Sequence, residues 1–175
     1  MNAFLKLFLV FLCASPAFAD ETRNKLNDLS ERLITSFTAK TPGKTAIAIF
    51  PLNADEKLTK RKVGFAVSEI LSRKFITSEK FMVVERGDID KMLAEQKLQA
   101  SGAVGADSAV SIGKIIGAKV ILTGNVLKIG GQYQVNIRLV DVESSEVIGS
   151  GYAELDWAAF EEEARPYLNL VPDEQ

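Results

Sequence analysis

Leu26, Leu29, Leu33, Ile34 and Phe37 recur at three- and four-residue spacing with charged residues between them, which predicts an amphipathic helix over residues 22–38. "TPGK" (Thr41 to Lys44) breaks that period with Pro42 and Gly43. "TAIAIFPL" then runs apolar without polar alternation, the mark of a strand buried on both faces. A helix from Leu58 to Ile76 follows, with Val63, Val67, Ile70, Leu71 and Phe75 as its inner stripe. "KFMVVE" predicts a second buried strand. The next helix is capped by Asp88, which accepts from a free backbone N–H, and puts Ile89, Met92, Leu93 and Gln96 on one face. "QASGAVGADS" is a loop of small residues. Asp107 or Ser108 restarts a helix that buries Val110, Ile112, Ile115 and Ile116 and closes at Gly117.

The last third changes period. "KVILTGNVLKI" meets "QYQVNIRLVDV" across Gly130-Gly131, a hairpin signal. Tyr133, Val135, Ile137 and Leu139 alternate with Gln134, Asn136 and Arg138, so one face of this strand is wet or partly covered. "ESSE" turns into "VIGSGYAELD", an antiparallel strand weakened by Gly149 and Gly151. A final helix from Trp157 to Tyr167 stops at Pro166. The order α-β-α-β-α-α-β-β-β-α predicts an α/β domain. Its mixed β-sheet of about five strands carries helices on both faces, a three-layer sandwich ending in a C-terminal antiparallel meander. No internal repeat interrupts it. A single domain is expected over residues 20–168, with 169–175 as a flexible tail.

The N-terminus reads differently. "MNAFLKLFLVFLCASPAFAD" has Lys6, an apolar run from Leu7 to Cys13, Pro16 and then Ala17-Phe18-Ala19, the n-region, h-region and A-x-A site of a secretory signal. Residues 1–19 are expected to be removed by cleavage between Ala19 and Asp20. The run is short for a membrane span, and no later stretch approaches that length. Cys13 is the single cysteine. It could instead carry a lipid, although Leu12 stands where such a site normally has a small residue. Cleavage would leave a chain without thiols, consistent with an exported domain that stands on its core.

Composition narrows the chemistry. The chain is 47% hydrophobic and 25% charged with a formal net charge of −2, ordinary for a globular domain and without the basic excess of a nucleic-acid binder. It has no histidine, which removes the commonest general base and metal ligand. No metal or cofactor is expected. "SIGKII" offers Gly113-Lys114 but has Ile115 where a phosphate-binding loop needs a hydroxyl and Ser108 where it needs glycine. Gly102 and Gly105 could form an anion nest, but Asp107 would repel a phosphate there. Glu85, Asp88 and Asp90 have structural readings: a strand end, a cap and a solvated helix face. Glu161 to Glu163 reads as a solvated acidic face.

"AIAIFPL", "FMVVERGDIDKMLAEQKLQASG", "AVSIGKIIGAKVILTGNV" and "YQVNIRLVDVESSEVIGSGYAE" together resemble the CsgG-type envelope family, which includes the curli secretion lipoprotein, FlgO-type flagellar proteins and, more distantly, LpoB-type activators of penicillin-binding proteins. The resemblance covers Lys44 to Glu154. It is carried by Val84-Glu85-Arg86, Leu93, Glu95-Gln96, Ser101-Gly102, Gly113-Lys114 and Gly117-Ala118. It implies a periplasmic α/β domain, free or associated with the outer membrane, that works by protein–protein contact without catalysis. The tight Gly130-Gly131 and Ser144-Ser145 turns leave no room for the barrel strands of curli-pore members.

The function expected from this is an exported accessory factor for assembly or anchoring of a surface structure, a flagellum or secreted fibre. Gln132, Gln134, Asn136 and Arg138 on the meander's polar face, and Ser101, Gly102 and Asp107 in the small-residue loop, are the candidate partner contacts. The last strand, Val147 to Leu155, is a second candidate, as an edge that could pair with another copy. The alternative is an LpoB-like regulator of a cell-wall synthesis enzyme. A small-ligand binder using Glu85, Asp88 or the glycine loop is a remote third.

Overall fold

A computed structural model describes residues 17–41, 43–95 and 105–169, with side chains from residue 21 onward. Helix α1 spans Ala17–Thr38 and therefore starts before the residue 22 expected from its apolar stripe. Its backbone runs without a break through Ala19-Asp20; residues 1–16, with Cys13, lie outside the described residues. Leu26, Leu29, Leu33, Ile34 and Phe37 are all buried, as their spacing predicts.

Strand β1 (Thr45–Ile49) leads to α2 (Glu56–Lys60) and α3 (Val63–Thr77), then β2 (Phe81–Val83), α4 (Arg86–Glu95) and α5 (Ala106–Ile115). Strands β3 (Val120–Ile129), β4 (Gln132–Asp141) and β5 (Val147–Asp156) form the meander, and α6 (Trp157–Ala164) passes into a 3-10 turn at Arg165–Tyr167. The five strands lie in the order β2-β1-β3-β4-β5. β1 is parallel to both neighbours, and β3, β4 and β5 are antiparallel. The fold is thus the expected mixed sheet with helices.

Coverage of the two faces is unequal. On the inner face, α1, α3 and α6 pack against Ile47, Ile49, Leu122, Tyr133, Val135, Ile137 and Leu155 in one apolar cluster. On the outer face, α4 and α5 cover the parallel half and the adjoining end of β4. Ile89, Leu93, Val110 and Ile112 meet Ala48, Phe50, Ile121, Val140 and Val142 there. Each large apolar side chain buried in this way stabilises the fold by roughly 1.5–3 kcal/mol relative to exposure.

Several local expectations need correction. The helix expected from Leu58 to Ile76 is broken, because Lys62 adopts a left-handed φ of 60° between α2 and α3. The break lets α3 approach the Leu52 backbone, where a Cβ on Gly64 would lie 1.9 Å from the Leu52 carbonyl oxygen. Asp55 caps α2 instead, accepting from the Leu58 N–H at 2.8 Å. Asp88 is not a cap. Helix α4 begins at Arg86, so Asp88 falls in its first turn, where its charge still complements the helix dipole. Glu161 to Glu163 is not simply solvated: Glu161 accepts from the buried Tyr133 hydroxyl at 2.9 Å and pairs with Arg61 at 2.7 Å, and Glu163 pairs with Arg23 of α1 at 2.7 Å. Gly151 serves packing: a Cβ there would meet Leu29 at 2.5 Å, so α1 lies close on β5 because this position is bare.

At the chain's far end, Asn169 donates its backbone N–H to the Arg61 carbonyl at 3.2 Å; residues 170–175 of the expected tail lie outside the described residues. The turn from β4 to β5 is closed by Asp141, whose carboxylate is held below its ordinary range by the Ser144 backbone N–H.

Candidate functional site

The Glu85-Arg86 pair at the start of α4 resolves into architecture. Arg86 donates to the Ile49 carbonyl at 3.2 Å, lies 3.1 Å from Asp90 and stacks over the Phe65 ring at 4.9 Å, tying α4 to the end of β1 and to α3. Glu85, exposed beside it, lines an open cleft of about 300 Å³ with Glu69, Ser72 and Ile76. Among the described residues, no group of three or more Asp, Glu, His or Cys side chains is placed to hold a metal ion. No described helix is long and apolar enough to cross a membrane.

The meander's outer face is a different kind of surface. The two-residue turn at Gly130-Gly131, with Gly130 at φ 59°, fixes the register of β3 on β4. Ile129 stands opposite Gln132, Leu127 opposite Gln134, Asn125 opposite Asn136, and Thr123 opposite Arg138. β5 extends these rows with Asp156, Glu154, Tyr152 and Ser150. Side chains directly opposite across a ladder lie about 4.5–5.5 Å apart, so these residues form one contiguous surface.

Apart from Thr123, which is buried, that surface is uncovered by any described element, and it is not purely polar. Ile129 is 55% exposed, Leu127 42% and Tyr152 47%, at positions where α4 and α5 no longer reach. Apolar side chains gather on the β3 side, amides run down the middle, and Glu154 and Asp156 give the β5 side an acidic margin. Arg138, at the base, is exposed and has no ion-pair partner among the described residues. The Tyr152 hydroxyl donates to Glu154, and that carboxylate holds the phenol above its ordinary range. Nothing on this face joins a nucleophile to a base. Exposed aromatic and aliphatic groups among amides are instead the composition of a protein-docking patch.

The register therefore brings Gln132, Gln134, Asn136 and Arg138 together on one face, as the alternation of β4 predicts. Asp107 is exposed in the first turn of α5, a separate element, and has no described contact with the meander. Ser101 and Gly102 lie outside the described residues. Leu127 and Ile129 were not among the expected contacts, and Tyr152 was expected only as part of the last strand's edge. The two-residue turn was the signal for the first two, because it sets which β3 residues stand beside Gln132 and Gln134. Tyr152 had no comparable signal: its place follows from a register shift between Leu139 and Val140.

Residues 34–133 match the family described as the curli production assembly/transport component CsgG. No curated protein matches the sequence. Among solved structures, the LpoB C-terminal domain from Salmonella enterica aligns with a TM-score of 0.58 at 15% identity, covering 75% of this chain and 98% of that domain. The LpoB C-terminal domain from Escherichia coli aligns with a TM-score of 0.58 at 16% identity, over 74% of this chain and 97% of that domain. The NMR structure of E. coli LpoB gives 0.55 at 16% identity, covering 75% of this chain and 68% of that one. At such identities the likeness is one of fold.

Proposed function

The chain belongs to the CsgG family, and from that premise we propose that it is an exported, non-catalytic accessory protein of the cell envelope. It supports assembly or anchoring of a surface structure, a flagellum or secreted fibre, by protein–protein contact. The observation that carries this reading is the open outer face of the meander, where Leu127, Ile129 and Tyr152 stay exposed around Gln134 and Asn136. Burying that apolar area against a partner is favourable, while the amides and Arg138 set orientation. Export by cleavage between Ala19 and Asp20 would trim only the start of α1 and leave its buried stripe whole.

The test is crosslinking and capture from the envelope with the chain carrying Gln134→Ala, Asn136→Ala and Arg138→Ala together. The expected outcome is loss of a specific partner with an unchanged melting temperature, since all three side chains point away from the core. Retention of every partner would mean that another surface does the work. Regulation of a cell-wall synthesis enzyme rests on fold likeness alone, which at 15–16% identity carries no function with it.

A further inference from the structure

β2 is an edge strand of the sheet, and it runs along the cleft that Glu85 lines. Its bonds to β1 fix which backbone groups are already used. The Lys80 carbonyl accepts from the Thr45 N–H at 3.2 Å, and the Val84 N–H donates to the Ile47 carbonyl at 2.9 Å. Alternation along the strand then turns the N–H and C=O of Phe81 and Val83 toward the free side, where no described group bonds them. Helix α3 walls this edge with Glu69, Ser72 and Ile76, one stripe at three- and four-residue spacing, and Ile89 of α4 adds to the lining. The groove has two unlike ends. The Phe75 and Phe81 rings meet at 5.1 Å, which sets the end of α3 beside the start of β2, and Ile76, 57% exposed, makes that end apolar. Arg86 over the Phe65 ring sets the start of α3 beside the end of β2, so Glu69 and Glu85 share the other end. Neither carboxylate has an ion-pair partner among the described residues, and Arg86, the cation there, is engaged by Asp90 and the Ile49 carbonyl.

We infer that this groove receives an extended, basic segment of a partner protein, which adds to β2 as a further strand of the sheet. The free N–H and C=O groups of Phe81 and Val83 hold its backbone, and its alternate side chains meet the two ends of the groove. Side chains two residues apart stand on one face of a strand, roughly 7 Å from each other. An aliphatic residue beside Ile76 therefore puts a lysine or arginine within reach of Glu69. Opposite charge steers such a segment in and rejects an acidic one. A three-residue edge between two helices is too short a template for joining two sheets, which favours a single segment over a second copy of the domain. The groove lies at the opposite edge of the sheet from β5 and apart from the open meander face, so its failure would leave the reading above untouched.

Titration of the full chain with a capped Lys-Thr-Val-Thr-Lys peptide tests it, with Glu-Thr-Val-Thr-Glu as the control. Both peptides present the same pattern in either strand direction. The lysine peptide should slow hydrogen exchange at the Phe81 and Val83 amides and bind about tenfold more tightly than the control. Glu69→Lys with Glu85→Lys should reverse that preference and leave the melting temperature unchanged, since both carboxylates line the open groove. Four results would each overturn the inference: no binding of the lysine peptide at millimolar concentration, equal binding of the two peptides, protection only at amides elsewhere, or a preference unmoved by the charge reversal. A dimer of the free chain, seen by sedimentation and dissociated by the peptide, would give the groove to a second copy and overturn it as well.

Discussion

Strands β1 and β4 are separated by a single strand in the same sheet, yet they meet different surroundings. Around β1 the inner residues Ile47 and Ile49 and the outer residues Ala48 and Phe50 are all buried, since α3 lies on one side and α4 and α5 on the other. Along β4, Tyr133, Val135, Ile137 and Leu139 are buried on the inner face and Val140 at the end under the outer helices, and Gln134, Asn136 and Arg138 look out over an uncovered face. A strand's apolar pattern therefore records how many layers cover it. The parallel half invests its outer face in stability, and the antiparallel half leaves that face available.

The comparison can be broken most forcefully at Phe50, fully buried between β1 and the outer helices. Phe50→Ala should cost about 3–5 kcal/mol, read as a large fall in the chemical-denaturation midpoint. A small cost would mean that α4 and α5 contribute little. Next comes Glu161, which holds the one covered face of the antiparallel half by pairing with Arg61 and accepting from Tyr133. Glu161→Ala should cost about 2–3 kcal/mol by removing the ion pair with Arg61 and the hydrogen bond from Tyr133 in a mostly buried setting. A double-mutant cycle with Tyr133→Phe would give the share of the hydroxyl. The smallest effect belongs to the open face. Leu127→Ser with Tyr152→Ser should stay within about 0.5 kcal/mol of the parent in stability while weakening partner capture. A loss of several degrees in melting temperature would instead show that this face is structural.

Much of the molecule was legible before any coordinates. The five apolar residues of α1 are all core, and the alternation of β4 identified its buried and open residues one by one. Legibility failed where tertiary contact overrides local pattern. The split of α2 from α3 depends on Gly64 meeting Leu52, a contact between segments that no helical period encodes. Asp88 has the side chain of a cap, but the anchoring of Arg86 on Ile49 belongs to a helix that begins two residues earlier. Of the site, the amides and Arg138 were readable from one strand, while Leu127, Ile129 and Tyr152 became members only through pairing with the neighbouring strands.

The continuity of α1 has a consequence for how the domain is carried. An α-helix has almost no slack, and from Asp20 to Leu26, the first stripe residue held in the core, it spans roughly 9 Å at 1.5 Å per residue. Any body joined to the backbone at Asp20 would therefore act through a short rigid handle. It would set the heading of the domain as well as its distance, and would deliver a pull straight onto β5 and α6 through Leu29, Leu33 and Arg23.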